Sequence, residues 1–229
     1  CTKSRMIPGI IDDINIHSIV NSPCLVRDDL EGIDVLASSI KQNGLFQPIL
    51  VRAKEEYLYE IVAGNRRYQA CKSLGWRRIA CHIVELNDKE AFEISLIENI
   101  QRKTLSALEE AEAFKRYVSD FGWGGVCDLA LRIGKSPSYI TKRIKLLNLP
   151  SDIRESIISH RIGTSVAEEL CSIKDKDKQS VFANLISDRR LSMRMTRKLS
   201  RDYYKPKSSS HGHNRNLKYK DTCLILFMS

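Results

Sequence analysis

The chain has 229 residues, of which 42% are hydrophobic and 28% are charged, a balance typical of folded globular domains. The net charge of +9 is unevenly placed. Residues 126–229 hold 21 Lys and Arg against 10 Asp and Glu, whereas residues 1–125 hold 16 against 18. This asymmetry predicts a nucleic-acid or other anionic partner for the C-terminal half, with a solvated basic face as the plainer alternative.

The seven cysteines are scattered singly, without a C-x-x-C motif or a Cys/His pair at zinc spacing. This pattern argues against a structural zinc site and a disulfide framework, and it predicts reduced thiols in the cytoplasm. No signal peptide or membrane span is apparent, because the late apolar run Cys223–Met228 is far too short to cross a bilayer. We therefore expect a cytoplasmic protein without a membrane partner.

The predicted elements of residues 10–100 alternate between helices and strands. The helices are one capped by Asp28 or Asp29 and ending near Gly44, one over Asn65–Leu74 with Asn65 as N-cap, and one capped by Asp88 and running to about Ile100. The strands are Leu45–Val51, Tyr57–Val62 and Ile79–Leu86. Pro48 argues for an edge strand or a bend, because proline cannot donate to a sheet ladder.

The chain after residue 100 is predicted to be helical. Ser106 and Glu109 form a capping box that opens a helix ending at the glycine-rich break 122–125. Short helices are expected over 126–134 and 137–148, and several more over 151–200. The fold class is therefore α+β, with a small α/β domain at 10–100, a helical domain at 101–204, and a basic polar tail at 205–229 that is disordered in part.

The segment "DLALRIGKSPSYITKRIKLLNLP" at 128–150 has the pattern of a helix-turn-helix, placed at 126–149. Gly134 permits the sharp turn, Ser136 can cap the second helix, and Pro137 suits its first position. The inward-facing apolar residues are Leu129, Ala130 and Ile133 on the first helix, and Ile140, Ile144 and Leu147 on the second.

The second helix of this motif has no acidic residue and several basic ones. Between Leu129 and Leu149 there are five Lys or Arg and no Asp or Glu. In a helix-turn-helix the second helix enters the major groove and basic side chains hold the phosphates. The predicted DNA-binding residues are Ser136, Ser138, Tyr139, Thr141, Lys142, Arg143 and Lys145. The alternative is a structural helical hairpin.

The stretch "VAGNRRYQAC" at 62–71 predicts an anion site. A strand ends at Gly64, a helix begins, and two arginines lie in the first turn, where the helix dipole already carries positive charge. First-turn N–H groups and the guanidinium groups of Arg66 and Arg67 are suited to phosphate oxygens. The alternative is a pair of surface arginines matched by nearby acids.

Three segments in this order carry a resemblance: "SSIKQNGLFQPILVR" at 38–52, "GNRRYQACKSLGW" at 64–76 and "ENIQRKTLSALEEAEAF" at 98–114. Followed by the helix-turn-helix, they resemble the ParB family of chromosome and plasmid partition proteins over roughly residues 14–150. The resemblance implies a ParB/sulfiredoxin-like N-terminal domain followed by a KorB-like helix-turn-helix domain.

The resemblance also implies ligands and partners. The family binds CTP with a divalent metal, here Mg²⁺, and closes as a clamp on a centromere-like site in double-stranded DNA. Residues implied at the nucleotide are Gly44, Leu45 and Gln47 near the base and Gly64, Asn65, Arg66 and Arg67 around the triphosphate, with Glu98 and Asn99 at the metal. A ParA-type ATPase partner, homodimerisation or nucleotide-dependent self-association, and nucleoid or plasmid association are expected.

One position departs from the family pattern. The usual box reads Gly-Glu-Arg-Arg, and Asn65 stands where the family has the Glu that is tied to hydrolysis. Because an amide cannot act as a carboxylate base, CTP binding is expected and CTPase activity is expected to be weak or absent. No catalytic residue is assigned.

Other functions remain open at this point. One is a helix-turn-helix regulator whose nucleotide pocket is vestigial, and another is a nucleotide-dependent small-molecule kinase of the same fold. A sulfiredoxin-like enzyme would need a catalytic Cys in the phosphate box, and the nearest cysteine, Cys71, is predicted to face inward.

Overall fold

The computed structural model describes residues 8–22, 32–102, 105–173, 175–189 and 194–198. The chain folds as two compact units, residues 1–144 and 145–229. The predicted caps Asp28 and Asp29 and the predicted tail lie outside the described residues. No helix in the described part of the chain is both long and apolar enough to span a bilayer.

The first unit opens with a mixed five-stranded sheet. Its strands are β1 (Ile10–Asn15), β2 (Ile19–Val20), β3 (Ile49–Glu55), β4 (Leu58–Ala63) and β5 (Arg78–Val84), in the order β1-β5-β3-β4-β2. The pairs β1–β5 and β3–β4 are antiparallel, and β3–β5 and β2–β4 are parallel.

The predicted strand Leu45–Val51 is wrong in its bounds. Of the two alternatives for Pro48, the edge strand is wrong, and the chain bends at residues 46–47 just before it. The strand begins at Ile49 and lies in the middle of the sheet, with Pro48 immediately before it. Because Pro48 stands outside the ladder, its missing N–H costs no interstrand hydrogen bond, and the strand has no need of an edge.

Two helices, α1 (Ile33–Asn43) and α2 (Asn65–Ser73), share an apolar core with the sheet. Ile40, Ile49, Ile61 and Cys71 are buried within it. On β4, neighbouring residues alternate between faces, so Ile61 enters this core while Glu60 lies on the other face, where it pairs with Arg52. The apolar residues of the strands thus form the surface against which α2 packs.

Helix α3 (Asp88–Arg102) is fixed to the sheet at its start by Arg52. The Arg52 Nη2 atom lies 2.6 Å from Glu60 Oε2 and 2.6 Å from Asp88 Oδ1. The prediction that Asp88 caps α3 is wrong. Asn87 Oδ1 accepts from the Glu90 N–H, and the Glu90 carboxylate accepts from the Asn87 N–H, so the capping box begins one residue earlier.

The helices α4 (Ala107–Lys115), α5 (Val126–Ile133) and α6 (Pro137–Leu146) follow, with a π-helical turn at Arg116–Asp120. The predicted capping box of Ser106 and Glu109 is confirmed. A second core joins α3 to these helices through residues that include Phe92, Leu96, Phe114, Leu129 and Ile140.

The second unit is residues 145–229, and all the regular structure among its described residues is helical. It contains α7 (Ser151–Ile158), α8 (Thr164–Leu170) and α9 (Lys176–Arg189), and residues 194–198 are helical. Its buried residues include Leu149, Ile153, Leu170 and Phe182. The expectation of several helices over 151–200 is confirmed for the described residues.

Candidate functional sites

The start of α2 has the geometry of an anion site. Gly64 precedes the helix in the left-handed region, with φ of 99°, and as a glycine it offers no side chain to cap the first turn. Asn65 is the first helical residue, so the prediction that it is the N-cap is wrong. Gly64 occupies that place because the turn from β4 into α2 needs a positive φ. First-turn N–H groups of a helix have no intrahelical acceptor and point out of the helix start, which is the geometry that suits an anion.

Arg67 connects this helix start to the loop before β3. Its Nη1 atom donates to the carbonyl oxygens of Gln47 and Pro48, each at 2.8 Å. A Cβ atom at Gly64 would lie 2.8 Å from Arg67 Nη2, so a side chain at 64 would displace this guanidinium. Arg67 thus connects the start of α2 to backbone atoms about 20 residues earlier in the chain.

The neighbouring loop supplies the other predicted residues. Gly44 ends α1 with φ of 77°, and its N–H donates to Ile40 O at 2.8 Å. Leu45 is partly buried and packs against the sheet core, whereas Gln47 is exposed. Arg66 is exposed on α2, beside Gly32 at the start of α1.

The third segment lies at the C-terminal half of α3. Glu98 Oε1 pairs with Arg102 Nη2 at 2.6 Å. Burial lowers the pKa of Arg67, the positive charge of Arg102 lowers it further, and Glu98 opposes this. Asn99 donates through Nδ2 to Ser95 O at 2.9 Å on its own helix. The structure therefore brings Arg67, Glu98 and Arg102 within electrostatic reach of one another.

The charges of this region suit a bound anion. The guanidinium groups of Arg66, Arg67 and Arg102 lie in these segments together with the carboxylate of Glu98. A phosphate group would offset the burial and repulsion that lower the pKa of Arg67. Among the described residues no group of three or more His, Cys, Asp or Glu could hold a metal. A Mg²⁺ ion beside Glu98 and Asn99 would thus also depend on phosphate oxygens and water.

Cys71 does not suit the sulfiredoxin-like alternative. Its side chain is fully buried in the core between α2 and the sheet. Burial raises the pKa of the Cys71 thiol to about 11. Because the thiolate is the reactive form, a buried neutral thiol is a poor nucleophile.

The helix-turn-helix prediction is confirmed in its geometry. Helix α5 ends at Gly134 with φ of 67°, and Lys135 N–H donates to Ala130 O at 3.0 Å. Ser136 Oγ accepts from the Tyr139 N–H at 3.2 Å, and Pro137 is the first residue of α6. Ala130 is buried in the core that also contains Leu129 of α5 and Ile140 of α6.

The exposed face of α6 differs from the prediction at two residues. Ser138, Thr141, Lys142 and Lys145 are exposed, as is Ser136 before the helix. Tyr139 and Arg143 are only partly exposed, because both point towards α4 and bind the same oxygen, Glu110 Oε2, at 2.6 and 2.9 Å. Of the predicted inward stripe, Ile140 is buried and Ile144 and Leu147 are partly buried, while Leu146, which was not predicted, is fully buried.

Local sequence patterns did not predict the glutamates that pair with arginines of α5 and α6. Glu110 lies 29 residues from Tyr139 and 33 from Arg143, so no helical spacing connects them. Arg132 on α5 likewise pairs with Glu93 of α3 at 3.3 Å. The capping-box run "LEEAEAF" was visible in the sequence, but nothing in it indicated which glutamate faces α6.

The fold defines a class of protein that joins an α/β domain, with arginines at a candidate anion site, to a helix-turn-helix. Residues 5–100 match the ParB N-terminal domain, and residues 103–205 match the ParB HTH domain. The chain belongs to the ParB family.

Known proteins similar to this chain carry two kinds of description. The nucleoid occlusion protein of Bacillus cytotoxicus is 38% identical over 196 residues, covering 84% of this chain and 67% of that protein. The nucleoid occlusion protein of Geobacillus thermodenitrificans is 36% identical over 216 residues, covering 91% and 76%. The C-terminally truncated chromosome-partitioning protein ParB of Caulobacter crescentus, complexed to the centromeric parS site, is 30% identical with a TM-score of 0.66, covering 83% and 99%.

Proposed function

We propose that this chain binds a centromere-like site in double-stranded DNA through α5 and α6, and binds CTP at the start of α2. Nucleotide binding then drives self-association into a clamp on DNA. The observation that supports nucleotide binding is the position of Arg67. Its side chain links the loop of Gln47 and Pro48 to the start of α2 and interacts electrostatically with Glu98 and Arg102. Because one arginine interacts with all three segments, ligand binding at Arg67 would change the positions of the three segments together.

Each residue of the nucleotide site has a definite task in the proposal. Arg66 and the first-turn N–H groups of α2 would contact the triphosphate, and Arg67 would hold the loop in place for the base. The backbone of residues 44–47 would read the cytosine edge. Glu98 and Asn99 would meet Mg²⁺, whose role is to neutralise phosphate charge and orient its oxygens.

The DNA half is supported by the exposed face of α6. Ser138, Thr141, Lys142 and Lys145 face solvent together, and none of them is acidic. The 30% identical Caulobacter protein was solved on the parS site, which supports a duplex as the partner. Basic residues on this face would hold phosphates, while Ser138 and Thr141 would lie nearest the bases.

Two cellular roles are consistent with these activities. Membership of the family supports partition together with a ParA-type ATPase, and the names of the two curated relatives favour a nucleoid occlusion role. In either case we place the protein on the nucleoid or a plasmid in the cytoplasm and expect it to act as a homodimer. Stimulation of a ParA-type ATPase by the purified chain would support the partition role.

The test measures nucleotide and DNA binding separately. Calorimetry with CTP, ATP, GTP and UTP is performed in the presence of Mg²⁺, with and without a duplex selected by this chain from a randomised library. Of the four nucleotides only CTP should bind, and cross-linking of the self-associated form should require CTP together with the selected duplex. If a duplex is selected but no nucleotide binds, the protein is a DNA-binding regulator with a vestigial pocket. If ATP binds in preference to CTP, the clamp proposal fails.

A further inference from the structure

The contact between α4 and α6 is a polar junction centred on Glu110. Its Oε2 atom accepts from the Tyr139 hydroxyl group at 2.6 Å and from Arg143 Nε at 2.9 Å. The Arg143 guanidinium group also lies 4.7 Å from the centroid of the Tyr139 ring. The side chains of Glu110 and Arg143 are only 13% and 15% exposed. Well-buried charge-assisted bonds of this kind are stronger than surface ion pairs.

Helical geometry separates this junction from the DNA-facing side. Tyr139 and Arg143 are four residues apart and share one face of α6. Ser138, Thr141 and Lys142 lie on another face, which is exposed. The core contacts of Ile140 occupy a third. Helix α6 is therefore held on two sides, by the core and by Glu110, which leaves only the remaining side for a ligand.

We propose that Glu110 is a positioning residue that sets the specificity of DNA binding, a role that rests on the proposed DNA-binding function. By holding Arg143 against Tyr139, Glu110 keeps one guanidinium group away from the phosphates and fixes the rotation of α6 about its axis. DNA then meets Lys142 and Lys145 and the small polar residues between them, but not Arg143. A cation kept from the backbone lowers sequence-independent affinity, which raises the ratio of specific to non-specific binding.

Neutralising Glu110 should accordingly strengthen the binding of the wrong DNA. In Glu110→Gln the amide holds Arg143 less strongly, so Arg143 can reach a phosphate. We expect several-fold tighter binding to a mixed-sequence duplex, with a salt slope steeper by about 0.9 for one added phosphate contact. The matched control is Glu112→Gln, which removes the same charge from an exposed position on the same helix and should leave the slope unchanged. A merely structural role for Glu110 would instead weaken binding in parallel with thermal stability.

A second variant tests the proposal without removing Glu110. In an otherwise unmodified chain, Arg143→Met should leave the salt slope on the mixed-sequence duplex unchanged, whereas Lys142→Ala should flatten it by about 0.9. In the Glu110→Gln/Arg143→Met double variant the gain in non-specific binding should vanish, as a double-mutant cycle requires.

The outcomes separate the two levels of the argument. If the unmodified chain binds no duplex at any salt concentration, the proposed function and this inference fall together. If it binds, but Glu110→Gln matches Glu112→Gln, or Arg143→Met flattens the slope, only the assignment of Glu110 is overturned.

Discussion

The phenol hydroxyl group of Tyr117 donates a hydrogen bond to Asp128 Oδ2 at 2.7 Å, joining the π-helical turn to the first helix of the helix-turn-helix. Glu93 Oε1 lies at the same 2.7 Å distance from this hydroxyl group. One proton cannot serve two ionised carboxylates at once, and the cations of Lys89 and Arg132 lie close to both. Tyr117 is fully buried, so this network anchors α5 against α3.

Removing the Tyr117 hydroxyl group should destabilise the first unit. Tyr117→Phe removes the buried hydroxyl group that lies between the Glu93 and Asp128 carboxylates, and we expect the free energy of unfolding at pH 7 to fall by about 1–3 kcal/mol. Urea denaturation followed by circular dichroism measures this. Tyr57→Phe, at an exposed tyrosine, is the control and should change stability little. An unaltered unfolding midpoint in Tyr117→Phe would show that the network adds no stability.

The same variant should show a defined pH dependence. The Tyr117 hydrogen bond is the main cause that holds the pKa of Asp128 below its ordinary value, with Lys89 and Arg132 adding to it. A depressed pKa stabilises the fold above the unfolded-state value of about 3.9, and this stabilisation is lost as the pH falls through the folded value. The difference between Tyr117→Phe and the unmodified chain should thus be complete at neutral pH and shrink below about pH 4. A difference that grew on acidification would contradict this assignment.

Neutralising the exposed cations of α6 should weaken DNA binding and its salt dependence. For the Lys142→Ala/Lys145→Ala double variant we expect the slope of log K against log salt to become shallower by about 1.8, because two phosphate contacts are lost. Fluorescence anisotropy over a series of salt concentrations provides the slope. Lys54→Ala/Lys115→Ala, at exposed lysines outside α6, is the matched control. Equal slopes for the two double variants would place the DNA interface elsewhere.

Arg66 should contribute more to nucleotide binding than to stability. Its side chain is exposed at a helix start whose N-cap residue is a glycine, and a charge-assisted contact with phosphate is worth about 1.5–3 kcal/mol. Arg66→Ala should therefore weaken CTP binding about tenfold or more. Lys72→Ala, at the other end of α2, serves as control. DNA binding measured without nucleotide should survive in both, and normal CTP affinity in Arg66→Ala would refute the placement of the triphosphate.

Asn65 should limit turnover and leave binding intact. It lies in the first turn of α2, with its Oδ1 atom 3.5 Å from Gln69 Nε2, and a neutral amide takes up no proton from an attacking water. Asn65→Glu should raise CTP hydrolysis in the presence of the selected duplex without tightening CTP binding, as measured by phosphate release. Brisk hydrolysis by the unmodified chain that Asn65→Glu does not increase would assign the chemistry to another group, such as Glu98.

Local rules of the chain predicted most of the elements and the turn between α5 and α6. The spacing of Leu129, Ala130 and Ile140, with Gly134 and Ser136 between them, follows from helical periodicity and capping alone. The order of the three segments around Gly64 was likewise sufficient for the family. The helices, caps and the turn depend on residues within a few positions of one another, which is the range over which backbone propensity and capping act.

Only the tertiary structure decided which charges meet. The sequence of α6 contains no acidic residue, yet Arg143 is paired with Glu110, which lies on α4 and precedes it by 33 residues in the chain. Pro48 could not be placed outside a central strand until the sheet order was known. Arg67 was predicted as a phosphate ligand, and its bonds to the Gln47 and Pro48 carbonyl oxygens depend on how α2 lies against the loop. Pairings of this kind are set by packing across the core, and no periodicity within a single segment encodes them.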